Sequence, residues 1–223
     1  MKRLLKTCLI VGTLVFAFAG TYAHAAPINW NTWASNTAGT MGTVAVSFTA
    51  GGSMDNLVSN YPSYLPASTF ADGIVVSNAP IGGNGIIQLS GGNQNVNTLQ
   101  FSAPVLNPVM AIWSLGQGGI NASFNFTNAT PTFVAGGPSN EYSGQPITVL
   151  GNTVSGIEGN GTVEFNGTFS SISWTNPVYE FWYGFNVGAP ESAPVPEPGT
   201  MMLLGLGMAG LAIYGKRRKN NKG

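Results

Sequence analysis

Carboxylates are the main acid–base and metal-binding groups in the middle part of the sequence of this 223-residue chain, between its two ends. Every lysine and arginine lies in the first six or last eight residues, and the single cysteine and histidine are Cys8 and His24. Residues 26–195 therefore lack a Ser-His-Asp or Cys-His system, zinc-binding imidazoles and thiolates, and cations that hold phosphate. Their formal charge of −7 also argues against nucleic-acid binding. The seven carboxylates are Asp55, Asp72, Glu141, Glu158, Glu164, Glu180 and Glu191.

Four of these carboxylates lie in segments with the composition of loops, where carboxylate and backbone oxygens together can bind calcium. The chain has no D-x-D-x-D-G loop, so the alternative is that these are solubilising surface charges. The weak calcium candidates are Asp55, Asp72, Glu141 and Glu158. We therefore expect no obligatory cofactor, with calcium as the metal that the sequence leaves open.

Glycoside hydrolysis is the enzymatic reaction that this composition still permits, because it requires only two facing carboxyl groups. Glu158 and Glu164 flank a glycine-rich loop, but their spacing does not mark a cleft. The sequence therefore favours a protein that is not an enzyme, with glycoside chemistry as a distant alternative.

Aromatic side chains are the other group that could contact a ligand, because flat rings stack on sugar rings. Residues 178–187 predict a final strand with Trp182 on one face, beside Glu180, and four aromatic residues on the other. These four are Tyr179, Phe181, Tyr183 and Phe185. We expect the row of four to be core and Trp182 to be available as a platform. The candidates for a carbohydrate platform are Trp30, Trp33 and Trp182.

The segments that position these side chains have the period of β-strands. Residues 43–49 and 121–127 alternate apolar with small or polar residues, which predicts strands with one buried face. Residues 109–115 are almost all apolar, as expected for a central strand buried on both faces. Glycine-rich breaks separate these segments, and no helical period appears before residue 200. We predict an all-β fold, an antiparallel β-sandwich that is a jelly roll rather than a barrel.

The dipeptide Asn166-Gly167 predicts a tight hairpin between residues 162–165 and 168–174. A type I′ turn needs positive φ at both central positions, which asparagine and glycine tolerate best. The predicted register places four apolar side chains on one face of the hairpin. They are Val163, Phe165, Ile172 and Trp174.

The amino end has the three parts of a secretory signal peptide. Residues 1–6 carry three positive charges, residues 8–19 are apolar, and Ala23-His24-Ala25 forms an A-x-A cleavage pattern. We expect signal peptidase to cut after Ala25, so that residues 1–25 form a signal-peptide helix. This predicts export across the inner membrane.

The carboxyl end predicts a single membrane-spanning helix. Residues 198–215 are uncharged, and eighteen residues at ~1.5 Å each reach ~27 Å, close to the ~30 Å hydrocarbon core. The basic cluster that follows should stop transfer and stay cytoplasmic, which leaves the body outside. It consists of Lys216, Arg217, Arg218 and Lys219. We divide the chain into a signal peptide at 1–25, an extracellular domain at 26–189 and a Pro-rich linker, helix and tail at 190–223.

A Pro-Glu-Pro triplet stands directly before this helix, in the sequence Val195-Pro196-Glu197-Pro198. Triplet, glycine-rich hydrophobic helix and basic tail occur in order behind a signal peptide, and this arrangement resembles the PEP-CTERM sorting signal. The resemblance implies a Gram-negative bacterium that makes extracellular polysaccharide. It also implies an exosortase that cuts near the triplet, so that the membrane helix is temporary. The prolines favour an extended segment that such an enzyme can bind.

These features together predict an exported protein of the cell surface or extracellular matrix, with a structural or adhesive role associated with exopolysaccharide or biofilm. The alternative is a carbohydrate-binding module, calcium-dependent if the loop carboxylates bind metal. The expected partners are signal peptidase and the export machinery, the inner membrane transiently, exosortase and exopolysaccharide.

Overall fold

The computed structural model describes residues 27–51, 55–59 and 64–191 of the chain. In this part all regular structure is β, apart from two short 3-10 turns, Ala67–Thr69 and Gly82–Asn84. None of its helices has the length and hydropathy needed to cross a membrane. The predicted signal peptide, linker prolines beyond residue 191, membrane helix and basic tail lie outside the described residues. The all-β prediction is confirmed.

The described chain forms strands of two to fourteen residues. In chain order they are β1 (Ile28–Trp30), β2 (Thr32–Trp33), β3 (Ala38–Met41), β4 (Val44–Thr49), β5 (Asp55–Val58), β6 (Ile86–Leu89), β7 (Asn93–Leu106), β8 (Val109–Leu115), β9 (Ala122–Phe126), β10 (Pro131–Gly136), β11 (Gln145–Pro146), β12 (Thr148–Leu150), β13 (Thr153–Gly156), β14 (Gly159–Phe165), β15 (Thr168–Asn176) and β16 (Tyr183–Pro190).

The strands form two antiparallel sheets. The first has the order β10-β14-β8-β16-β6-β5, with β1 also paired to β16 and β11 paired to β14 in parallel. The second has the order β12-β13-β9-β15-β7-β4-β3-β2. Buried side chains from both sheets form one hydrophobic core, so the sheets pack face to face.

Alternation along the strands supplies this core. In β4 the side chains of Val46 and Phe48 are buried while their neighbours are exposed, as the sequence predicts. Phe48 of the second sheet stacks on Trp174 at 5.9 Å between ring centroids, and its ring also lies 5.2 Å from that of Phe185 in the first sheet. Aromatic rings therefore join the two sheets across the core.

Strand β8 is buried on both faces, which confirms the prediction for residues 109–115. Ile112 packs into the core between the sheets, whereas Trp113 belongs to a second cluster on the outer face of the first sheet. Part of the segment 64–79 covers that outer face with Phe70, whose backbone oxygen accepts a hydrogen bond from Thr162 Oγ1 at 2.7 Å.

The predicted Asn166-Gly167 hairpin is wrong, because β14 lies in the first sheet and β15 in the second. Of the two turn residues only Gly167 has positive φ. Its N–H donates to Asn107 Oδ1 at 2.9 Å, and its oxygen accepts from the Asn107 N–H at 2.7 Å. The turn is therefore held by the neighbouring β7–β8 connection and carries the chain from one sheet to the other.

The four apolar residues around this turn are all buried in the core, although not on one face of one sheet. Val163 and Phe165 project from β14, and Ile172 and Trp174 project from β15 of the opposite sheet. Period-two alternation identifies which residues are buried, but it does not identify the sheet to which each strand belongs.

The final strand is shorter than predicted and begins at Tyr183. Tyr183 and Phe185 are fully buried, as expected for the predicted row. Tyr179 and Phe181 lie before the strand and are 62% and 59% exposed, so their predicted place in the core is wrong. Glu180, which lies between them in the chain, is instead buried, and its Oε2 accepts the Gly116 N–H.

Phe165→Ala should destabilise the soluble body, residues 26–195, by about 3 to 5 kcal/mol, because a fully buried ring is lost and a cavity remains. Phe133→Ala is the matched control, since that ring is 46% exposed on β10. Urea unfolding of the two variants measures the difference. Equal destabilisation by both would contradict the assignment of Phe165 to the core.

Candidate functional site

Glu180 is a carboxylic acid that is almost fully covered, with 3% of its surface exposed. Its Oε2 accepts the N–H of Gly116 at 2.9 Å. The pKa of Glu180 is raised from 4.5 to about 8, chiefly because burial penalises the charged form. The Gly116 N–H opposes the rise, the charge of Glu158 adds to it, and the Trp182 N–H opposes it. Two carboxyl groups therefore interact at this position.

Glu158 lies at the tip of the turn between β13 and β14. Its Oε2 accepts the hydroxyl of Ser114 at 2.8 Å, and the Ser114 N–H donates to Asn160 Oδ1 at 2.8 Å. Ser114 and Glu158 both have φ of 53°, in the left-handed region that few residues other than glycine adopt. Such conformations persist where surrounding contacts hold them, and they concentrate at functional sites.

Three aromatic rings cluster in the same region, where Trp113 precedes Ser114 and Trp182 follows Glu180 by two residues. Trp182 and Trp113 meet edge to face at 4.8 Å, and Tyr142 lies 5.4 Å from Trp113 and 5.8 Å from Trp182. Trp113 is buried, Trp182 is partly exposed and Tyr142 is 43% exposed. The ring planes meet at 60° to 75°, so the three rings do not form one flat face.

The loop that carries Tyr142 rests on the turn that carries Glu158. The Gln145 N–H donates to the backbone oxygen of Glu158 at 3.1 Å, and Asn160 Nδ2 donates to the backbone oxygen of Ser143 at 3.3 Å. These bonds hold the loop and the turn together. We call this region the far-end patch and define it as Ser114, Tyr142, Glu158, Glu180 and Trp182, of which Ser114 and Glu180 are buried.

The far-end patch lies at the end of the sandwich opposite to the ends of the described domain. The Glu191 N–H donates to the Pro27 oxygen at 2.7 Å, so the chain enters and leaves at the same place. Strand β16 separates that place from Glu180, and its eight residues span ~26 Å at ~3.3 Å each. Whatever follows Glu191 therefore begins far from the patch.

Two of the three predicted platform tryptophans are interior, and that prediction is wrong for them. Trp30 is 6% exposed in the outer-face cluster, and its Nε1 donates to the Asn78 oxygen at 2.8 Å. Trp33 is 5% exposed in the core, edge to face with Phe185 at 6.1 Å. Trp182 is the one that reaches the surface.

The calcium candidates with described side chains, Asp72, Glu141 and Glu158, do not form a metal-binding cluster. Asp72 Oδ1 accepts the N–H groups of residues 74, 75 and 76, which closes a local turn. Asp55 lies in β5, and Glu141 lies in an exposed loop. Among residues 27–51, 55–59 and 64–191, no three acidic, histidine or cysteine side chains are placed to hold a metal.

Glu158 and Glu164, which flank the glycine-rich loop and whose spacing did not mark a cleft, have different carboxyl neighbours. The pKa of Glu164 is raised by burial and then by the charge of Asp72, so its carboxyl neighbour is Asp72. Glu158 instead neighbours Glu180, which the alternation of residues 178–187 placed on an exposed strand face. No periodic signal in the sequence marks Glu180 as buried or Tyr142 and Ser114 as its neighbours.

Residues 194–219 match the family model of the PEP-CTERM protein-sorting motif. The chain therefore carries a PEP-CTERM protein-sorting motif at its carboxyl end. The match includes both the triplet segment, Val195 to Pro198, and the basic cluster, Lys216 to Lys219. No curated protein and no solved structure shows significant similarity to the chain.

The sorting motif indicates the route by which the protein is exported and processed. A PEP-CTERM protein is an exported, membrane-transiting protein of Gram-negative bacteria, and its motif implies processing by exosortase. The motif covers the carboxyl end only, and the described domain lies entirely before it.

Glu180 should make the stability of the PEP-CTERM protein depend on pH. Its pKa in the folded state, about 8, lies above the 4.5 of an ordinary glutamate, so the folded protein holds a proton that the unfolded chain releases. The free energy of unfolding should therefore fall by a few kcal/mol as pH rises from about 4.5 to about 8, and change little above.

Glu180→Gln keeps an oxygen for the Gly116 N–H and removes the titration, so it should flatten this dependence and stabilise the protein at alkaline pH. Urea unfolding across the pH range measures the slope. Glu191→Gln, an exposed residue at the opposite end, is the control and should leave the slope unchanged. An unchanged slope in Glu180→Gln would refute the assignment.

Proposed function

We propose that this PEP-CTERM protein is a structural or adhesive component of the cell surface or extracellular matrix, associated with exopolysaccharide, and that it is not an enzyme. The observation that carries the proposal is the position of the domain ends. Pro27 and Glu191 meet at one end of the sandwich, and the sorting motif follows within a few residues. An anchored precursor would thus hold the far-end patch outward, towards its surroundings.

The chemistry of the domain agrees with a role that is not enzymatic. Glu180 is covered and its Oε2 is bonded to a backbone N–H, so a substrate does not reach it in this conformation. The Glu158 carboxylate accepts a hydrogen bond from the Ser114 hydroxyl, and the backbone oxygen of Glu158 accepts one from the Gln145 N–H. A glycosidase needs two accessible carboxyl groups on either side of a bond, and these two do not meet that requirement.

We further propose that the sandwich is a jelly roll. The central strands of one sheet follow the order β6-β16-β8-β14, and those of the other follow β7-β15-β9-β13. The chain alternates between the sheets from β6 to β9 and again from β13 to β16. This is the connectivity of two Greek keys wrapped into a double sheet.

A carbohydrate-binding module is the second candidate function. The exposed ring of Tyr142 next to Trp182 supports it, since rings at the surface can stack on sugars. Of the tryptophans first considered, only Trp182 contributes to this surface. The two candidates are compatible, because an adhesive matrix protein can hold polysaccharide through such a patch.

Retention in the matrix tests the main proposal. Cells should be separated into cytoplasm, inner membrane, outer surface and extracellular polysaccharide, and the protein followed by immunoblotting. We expect it in the surface and polysaccharide fractions of the wild type and in the inner membrane of a strain without exosortase. Accumulation of the mature protein in the cytoplasm or free periplasm would refute the proposal.

Processing should remove both ends of the chain. We expect the mature protein to begin at Ala26 and to lose its tail near Pro196-Glu197-Pro198 when exosortase is present. Mass spectrometry of the surface-exposed protein decides this. Recovery of residues 216–223 on that protein would show a permanent anchor instead.

The basic cluster should stop translocation. Each cation costs about 2.5 to 3.5 kcal/mol at the centre of a spanning helix, so four together oppose transfer strongly. Replacing Lys216, Arg217, Arg218 and Lys219 with glutamine should release unprocessed protein into the periplasm, as measured by cell fractionation. Replacing Lys222 alone is the control. Retention and normal processing of the fourfold variant would show that the cluster is not the stop signal.

A further inference from the structure

The far-end patch presents aromatic rings beside a carboxylate at the surface of the domain. Tyr142 is 43% exposed, and Phe181, next to Trp182 in the chain, is 59% exposed. Glu158 is partly exposed, while its Oε2 accepts the Ser114 hydroxyl. The planes of Tyr142 and Trp182 meet at 75°, so a ligand can lie flat on one of the two rings, with the other ring at an angle beside it.

The negative charge of the domain favours cationic ligands over anionic ones. Residues 26–195 contain seven carboxylates and no lysine, arginine or histidine, so no side chain of the domain can form an ion pair with Glu158. An acidic polymer would find no cation here and would be repelled by the field of the domain. A ligand with ammonium groups would be attracted by that field, by Glu158 and by the faces of the rings.

The geometry around Glu158 points in the same direction. The left-handed backbone at both Ser114 and Glu158 also holds the carboxylate in one orientation before any ligand arrives.

We infer that the far-end patch binds amine-bearing sugar units of a polysaccharide, with Tyr142 against the sugar ring, Trp182 at an angle beside it and Glu158 paired with the ammonium group. This inference rests on the proposed function and names a ligand for it. Glu180 does not contact the ligand and serves as a positioning residue, because its carboxyl group joins the N–H of Trp182 to that of Gly116.

The test compares three β-1,4-linked hexamers of matched length: glucosamine, N-acetylglucosamine and glucose. Binding to the processed, secreted protein is measured by calorimetry in mildly acidic buffer of low ionic strength, where the glucosamine amines are charged. We expect glucosamine hexamer to bind at least about tenfold more tightly than the other two. Its affinity should fall as salt is added, because salt screens exposed charges.

Two variants separate the contributions of charge and ring. Glu158→Gln keeps an oxygen for the Ser114 hydroxyl and should remove most of the preference for glucosamine. Tyr142→Ala should weaken binding of all three hexamers. The matched controls are Glu164→Gln, a carboxyl group outside the patch, and Phe133→Ala, an aromatic ring 46% exposed on β10. Neither control should change affinity by more than about twofold.

The comparison of hexamers needs no variant, so it decides the inference even where a variant fails to fold. Equal binding of the three hexamers, or no binding of glucosamine hexamer, would overturn the inference. So would an undiminished preference in a folded Glu158→Gln protein. None of these binding results bears on where the protein is located. The proposed surface role is therefore tested separately, by cell fractionation.

Discussion

The absence of cationic side chains from residues 26–195 is the constraint on which the rest of the structure depends. No side-chain ion pair can form there, and with no cysteine in that range no disulfide can form either. Stability therefore depends on apolar burial and on hydrogen bonds between uncharged groups. The aromatic core provides the first, with Trp174 packed between Phe48 and Phe124 of its own sheet and against Phe185 of the opposite sheet.

Buried amides take the place that ion pairs often occupy. Asn186 is fully buried, and its Nδ2 donates to the Asn31 oxygen at 3.0 Å and to the Gly85 oxygen at 2.8 Å. Asn176 Oδ1 accepts from Asn97 Nδ2 at 2.8 Å and from the Trp174 indole N–H at 3.0 Å. Because an unpaired buried amide is costly, these bonds favour one arrangement of strands over others.

The same constraint explains the far-end patch. A carboxyl group in a domain without cations can be buried only if it is protonated or bonded to N–H and O–H groups. Glu180 combines a raised pKa with an N–H partner, and Glu158 has the Ser114 hydroxyl. The patch is thus a place where negative charge meets apolar rings with no counterion supplied by the protein.

The sequence by itself determined the sorting motif, because that motif depends on composition and order along a short segment. It also determined the all-β class and the buried status of β4, β8 and the residues around Asn166-Gly167, because period-two alternation is a local property. Only the tertiary structure decided which sheet receives each strand: the Asn166-Gly167 turn joins opposite sheets because Asn107 binds Gly167 from a distant connection. It also decided the site, since Ser114, Tyr142, Glu158 and Glu180 come from four separate segments. Trp30 and Trp33 became interior, and Glu180 turned inward, through contacts with residues far away in the chain, which no local pattern encodes.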